Sequence, residues 1–270
     1  MDYYCFELKP TLNCDVLWEE LSNEGYQLLY SIEEPNTPAK IFGYPPQGSV
    51  KLHPGIASAS LQNFETIDWK NQWCEAAGGD SDGTLELNLS DYLPCEEKIT
   101  IFPGPGFGDL THPTTKQTLR LMASHLQNKF VLDVGCGSGI LSLAAAQLGA
   151  SKVHGIDIDA AALAHACSNA EKNILKAPVS FGYPWEEFDI QHEEPLLIAM
   201  NMIYSEQKTA WEGLKQWHNH PAEIITSGVL VEQREEYLNL CKSWGWELVE
   251  ETSLEGWKAF YFNNNKPKQA

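Results

Sequence analysis

Residues Val131 to Ile140, VLDVGCGSGI, constrain the fold more than any other stretch of this chain. A short apolar run ends on alternating glycines, and the helix-like run GILSLAAAQLG follows at once. Strand, glycine turn and helix in that order predict a βαβ unit. The glycines permit a tight turn and close approach of a ligand to the backbone, while the helix start offers free N–H groups. The next strand, KVHGIDI, carries Asp157 at its end, about 20 positions beyond the glycines. A carboxylate there suits two ribose hydroxyls, so the unit reads as nucleoside-binding. The spacing of Gly135, Gly137 and Gly139 is G-x-G-x-G and not the G-x-G-x-x-G of NAD sites.

The texture around this unit is alternating. A helix is predicted from Pro113 to Leu126, a strand at FVLDVG, a helix closed by Gly149, and a helix capped by Asp159. LLIAMN lacks alternation, as a buried central strand should. EIITSG, the helix VEQREEYLNLCKSWG and a hairpin of ELVEET with KAFYFN complete an α/β sheet over 102–265. Residues 1–60 read as a small α+β unit: strands YYCFEL, YQLLYSI and KIFGY, and a helix CDVLWEELSNEG stopped by Gly25. Residues 61–101 read as a connector in which Trp69 and Trp73 pack on a short helix.

Composition narrows the function. The chain has 270 residues and a formal net charge of −19, with no basic run, so nucleic acid is not the expected partner and a basic protein or a cation is. No apolar run reaches about 18 residues, and the start MDYYCFELKP has no signal-like core. A cytoplasmic monomer without membrane contact is expected. The seven cysteines are scattered with no C-x-x-C pair, which predicts reduced thiols and no zinc cage. His218-Asn219-His220 is read as a solvated turn, and no metal is expected.

Asp133 ahead of the glycines, the G-x-G-x-G spacing and Asp157 resemble the class I S-adenosylmethionine (SAM)-dependent methyltransferases. The segment Pro103-Gly104-Pro105-Gly106-Phe107-Gly108-Asp109-Leu110-Thr111-His112-Pro113-Thr114-Thr115 resembles the one ahead of the SAM fold in ribosomal protein L-eleven (L11) methyltransferases. LGASKVHGIDIDAAAL, Asn201, SGVLVEQREE and EGW resemble further parts of that family, over roughly residues 64 to 262. The resemblance implies a Rossmann-like seven-stranded class I methyltransferase sheet, behind a small ferredoxin-like substrate domain that looks truncated for want of a second full helix. It implies SAM as cofactor, held by Phe107, Thr115, Asp133, Gly135, Cys136, Gly137, Gly139, Asp157, Ile158 and Asn201. It also implies methyl transfer to lysine or N-terminal amines of ribosomal protein L11. The family's Gly-Thr-Gly is replaced here by Gly108-Asp109-Leu110, which is expected to stiffen or reshape the lid.

A lysine acceptor must lose its proton before it attacks, which costs about 4.6 kcal/mol at pH 7 from a pKa of about 10.4. The expected catalytic residue is Asn201, whose side-chain carbonyl would accept the amine N–H bonds and aim the lone pair. His112 is a second candidate, as a proton relay or as a structural element of the loop. Alternatives are methylation of another protein or a small molecule, or SAM binding without catalysis.

Overall fold

The computed structural model describes residues 3–10, 12–32, 37–46, 53–62, 84–92, 95–106, 112–188 and 194–264. It comprises two compact units, Met1–Asp68 and Trp69–Ala270. Trp69, Trp73 and the helix expected there lie outside the described residues.

In the first unit, β1 (Tyr3–Leu8), β2 (Gln27–Ile32), β3 (Lys40–Tyr44) and β4 (Ile56–Gln62) form an antiparallel sheet in the order β2-β3-β1-β4. Helix α1 (Cys14–Asn23) starts at an Asn13 cap and ends at Gly25, whose φ is +87°. Its Cys14, Leu17 and Leu21 bury against Phe6, Leu8, Ile41 and Ile56. This strand order and pairing, with α1 joining β1 to β2, is ferredoxin-like. The sequence reading misses β4, because IASASLQ alternates small residues where a strand usually shows large ones.

The second unit is built on a sheet of β7 (Phe130–Val134), β8 (Lys152–Ile156), β9 (Val179–Gly182), β10 (Leu196–Asn201), β11 (Ala222–Leu230), β12 (Glu247–Leu254) and β13 (Trp257–Asn264). The order is β12-β13-β11-β10-β7-β8-β9, with β13 antiparallel to both neighbours and the other central pairs parallel. Period-two alternation splits the core. Val131, Leu197, Ala199 and Ile225 face α2 (Pro113–His125) and α3 (Ile140–Leu148), whereas Phe130, Leu132, Ile198 and Ile224 face α5 (Tyr204–Gly213) and α6 (Arg234–Trp244). Helix α4 (Ala160–Glu171), between β8 and β9, seats Leu163 and Ala166 against Cys136. Two elements of this unit escape sequence reading. β9 has only four residues, and the buried side of α5 is Gln207 and Trp211, hardly an apolar stripe.

Residues read as connector do more than connect. β5 (Leu85–Asn88) and β6 (Lys98–Ile101) pair as an antiparallel hairpin whose Leu85, Leu87, Ile99 and Ile101 join the core beneath α2 and α3. The chain leaving β6 is held by side chains spaced four apart along α4. Asn173, just past the helix, accepts from Thr100 N–H and donates to Thr100 C=O, both at 2.8 Å. Asn169 accepts from Phe102 N–H at 3.0 Å and donates to Ser138 C=O at 2.9 Å. His165 Nδ1 accepts from Gly106 N–H at 3.1 Å, so Nε2–H is the donor to Phe102 C=O at 2.7 Å. Burial lowers the His165 pKa, which suits the neutral ring this pattern requires.

Asn169→Ala is expected to leave Phe102 N–H and Ser138 C=O unpaired in a dry site, at a cost of about 2–4 kcal/mol. Thermal unfolding followed by circular dichroism should then show a midpoint lower by roughly 5–10 °C. A shift below about 2 °C would mean that water replaces the carboxamide without loss.

Candidate active site

Crossovers run to opposite sides of β7 and β10, so the crevice beyond their ends is the switch point where open α/β sheets bind ligands. Asp133 lies opposite Ala199 in this pair, and Asn201 follows two residues later on the same face. That face is covered by α2 and α3, which bring Thr115 and Ser142 to the strand ends.

The glycine loop is shaped by the end of β8. Gly135 and Cys136 donate to Ile156 C=O at 2.8 and 3.0 Å, and Gly137 N–H donates to Asp157 Oδ2 at 3.0 Å. Asp157 Oδ1 accepts from Asp159 N–H, also at 3.0 Å, so both carboxylate oxygens are oriented and each keeps a lone pair. Gly135 has φ +71°, and a Cβ on it would stand 2.4 Å from Met202 Cε. The PGPG segment lies flat on this loop: a Cβ on Gly106 would fall 2.5 Å from Gly137 C and Ser138 N. The two glycine-rich stretches therefore touch, and α4 is the element that presses one onto the other.

Two buried oxygens beside the loop have no partner among the described residues, Asp133 Oδ1 and Asn201 Oδ1. Asp133 is 1% exposed, with Oδ2 accepting from Ser142 Oγ–H at 2.6 Å. Burial raises its carboxyl to about 6, and the Asp157 charge adds to the rise. Burial also raises Asp157. The recess around Glu206, on the first turn of α5, pushes that carboxyl up as well, with the Asp157 charge second, although solvent reaches the side chain. Asn201 is 9% exposed and donates from Nδ2 to Thr115 Oγ1 at 3.3 Å. Three acids and an orphaned carbonyl make a crevice that favours a cation carrying N–H donors. The ammonium of SAM meets that description, its sulfonium adds a second positive charge, and oriented Asp157 oxygens suit ribose hydroxyls. The residues present thus fit the cofactor that the resemblance implies.

The remaining expected residues divide. His112 caps α2: its Nδ1 accepts from Thr114, with the hydroxyl at 2.7 Å, and its ring leans on Trp257 at 5.4 Å. That geometry is what a loop-structuring role requires. Cys136 turns its side chain into the contact with Leu163 and Ala166, leaving the ligand only its backbone. Ile158 is 71% exposed beside Asp157. Phe107 and the Gly108-Asp109-Leu110 departure lie outside the described residues. His218 is not the solvated turn residue expected, since it stacks on Trp211 at 4.7 Å and bonds Trp211 C=O through Nε2 at 2.7 Å. Sequence reading missed Ser142, His165, Asn169 and Gln207. The four-residue spacing of His165, Asn169 and Asn173 was the available signal, on a helix otherwise rich in alanine.

Gly135→Ala is expected to weaken SAM binding by more than about tenfold in titration calorimetry, because the left-handed φ of +71° rejects a Cβ. SAM affinity should also depend on pH. A cationic ligand favours the ionised carboxylate, so as pH falls through the raised Asp133 value of about 6 affinity is lost. The expected slope is about tenfold per pH unit below that point. Asp133→Asn should bind weakly with a flatter profile; an unchanged profile would separate Asp133 from the ligand.

Known proteins resemble this chain over most of its length. The family model described as "Ribosomal protein L11 methyltransferase (PrmA)" matches residues 49–265. Curated relatives carrying the name ribosomal protein L11 methyltransferase include one from Methylococcus capsulatus, 36% identical over 59% of this chain and 54% of its own. One from Prochlorococcus marinus is 29% identical over 93% of this chain and 94% of its own. Another, from Legionella pneumophila subsp. pneumophila, is 33% identical over 76% of this chain and 71% of its own. The match thus spans about half of the Methylococcus protein but nearly all of the Prochlorococcus one. With its crevice at the switch point and a match over most of its length, the chain belongs to the ribosomal protein L11 methyltransferase family.

Proposed function

We propose that this protein is a SAM-dependent protein N-methyltransferase that methylates lysine side chains or the N-terminal amine of ribosomal protein L11. The observation that carries the reading is the unpartnered, buried Oδ1 of Asn201 at the end of β10. An orphaned acceptor in a dry site costs about 1–3 kcal/mol, and an amine N–H would repay it.

SAM, when bound, supplies an electrophilic methyl group on a sulfonium. Asp133 holds the cationic amino-acid end, and Asp157 takes the ribose. Thr115 fixes the Asn201 carboxamide through the Nδ2 bond, which leaves Oδ1 pointing a fixed way. Asn201 Oδ1 then accepts an N–H of the incoming neutral amine and turns the nitrogen lone pair toward the methyl carbon. Attack needs the neutral amine, so the acceptor carries the deprotonation cost of about 4.6 kcal/mol at pH 7. Rate enhancement in this scheme is mostly positional. The net charge of −19 favours encounter with a basic protein. The ferredoxin-like unit is assigned substrate recognition, and the cytoplasm is the expected compartment. Among the described residues no helix is long and apolar enough to cross a membrane.

The test uses purified protein, methyl-labelled SAM and extract from cells lacking the gene. Label on ribosomal protein L11 is expected, with transfer falling by about 100-fold in Asn201→Ala. Label on other proteins alone would overturn the substrate, and SAM binding without any transfer would overturn the enzyme reading.

A further inference from the structure

The turn from Asn201 to Ile203 aims the carboxamide proposed to receive the acceptor amine, yet α5 begins without a side-chain N-cap. A fully buried glutamine holds the turn instead. Gln207 Nε2 donates to Met202 C=O at 2.7 Å and to Ser227 C=O at 2.9 Å. Its Oε1 accepts from Tyr237 O–H at 2.6 Å. The Tyr237 hydroxyl has one proton, so it accepts in turn from Thr226 Oγ1–H at 2.8 Å. Flipping the amide would set its carbonyl against those of Met202 and Ser227. Only one orientation fits.

The groups tied together matter for the crevice. Ser227 is the register partner of Asn201 across β10 and β11, and Met202 is the next residue along the chain. Gln207 therefore fastens the backbone on both sides of Asn201. Met202 is also confined from the opposite direction, since a Cβ on Gly228 would lie 2.2 Å from Met202 C=O. Its own Cε packs on Gly135 of the glycine loop. Gln207, Thr226 and Tyr237 are each 0% exposed, on the face otherwise filled by Trp211, Val229 and Phe260. An apolar side chain there would leave the Met202 and Ser227 carbonyls without this donor, so the network is tied to the turn beside Asn201.

We propose that Gln207, backed by Tyr237, is a positioning residue that sets the Asn201 carboxamide for the acceptor through the Met202 and Ser227 carbonyls. This rests on the reading of Asn201 given above.

The test is a double-mutant cycle with the full chain, SAM and ribosomal protein L11. Gln207→Met keeps the volume and removes the hydrogen bonds. It is expected to lower kcat by about tenfold while KM for SAM stays within about twofold, and to add less than about twofold in an Asn201→Ala background. Tyr237→Phe keeps the ring and loses only the hydroxyl; a smaller loss, likewise absent without Asn201, is expected. It also serves if Gln207→Met does not fold. A second readout needs no turnover: the Asn201 side-chain amide signals in nitrogen-15 spectra, identified by their absence in Asn201→Ala, should shift in both variants. Unmoved signals, or losses that multiply undiminished in the Asn201→Ala background, would overturn the inference. A wild-type protein that methylates nothing would sink the functional reading, and the amide signals would still decide the role of Gln207.

Discussion

The neutral imidazole of His165 and the carboxamides of Asn169 and Asn173 supply hydrogen bonds to the segment from Thr100 to Gly106. That chain runs through proline and glycine, with no ladder of its own beyond Ile101. Phe102 N–H, Phe102 C=O and Gly106 N–H are satisfied by α4, which is itself fixed by Asp157 and the Asp159 cap at its start. The order of dependence is clear. β8 sets the acid, the acid and Ile156 set the glycine loop, and α4 lays the PGPG segment on top. Remove the neutral form of His165 and the topmost layer loses its link to Gly106. This is backbone satisfaction by side chains, a kind that makes up only about a fifth of the hydrogen bonds in ordinary folds.

The crevice carries a cost in stability. Asp133 is ionised at neutral pH only against its burial, and Asn201 leaves an oxygen unpaired. Groups like these are kept where a ligand completes them. The surroundings are correspondingly stiff: close-packed aromatic rings of Trp211, Trp244, Trp246 and Phe262 behind α5 and α6, and a tight seam of Met202 against Gly135 and Gly228. Rigid walls around an incomplete hydrogen-bond set are what positional catalysis requires.

Much of this was legible in residues alone, for physical reasons. β7, α3 and β8 announce themselves because glycines at a strand end have few other uses and the flanking runs are apolar throughout. Asp157 follows from its place at a strand end, whereas Asp133 and Asn201 come from the family resemblance. Residues whose work is done by side-chain polarity inside the fold were not legible. Gln207 and Asn169 look like surface residues of amphipathic helices, and only coordinates show that they are inside. β4 and β9 are short or built of small side chains. The hairpin of β5 and β6 was half visible, since LELN alternates, but its partner KITI lies beyond an irregular stretch.

The position of β13 has a consequence for how the sheet is assembled. It is the last described strand, yet it lies between β11 and β12 and not at the edge. β12 is made earlier but has nothing to pair with until β13 arrives. During synthesis the ribosome therefore releases most of this unit while its sheet still has an open edge at β11, where the Ser227 and Thr226 backbone awaits Ala259 and Phe260. The wall behind Asn201 is thus the part of the crevice that closes last. A nascent chain is expected to hold its glycine loop and its Asp157 acid before it can hold an acceptor.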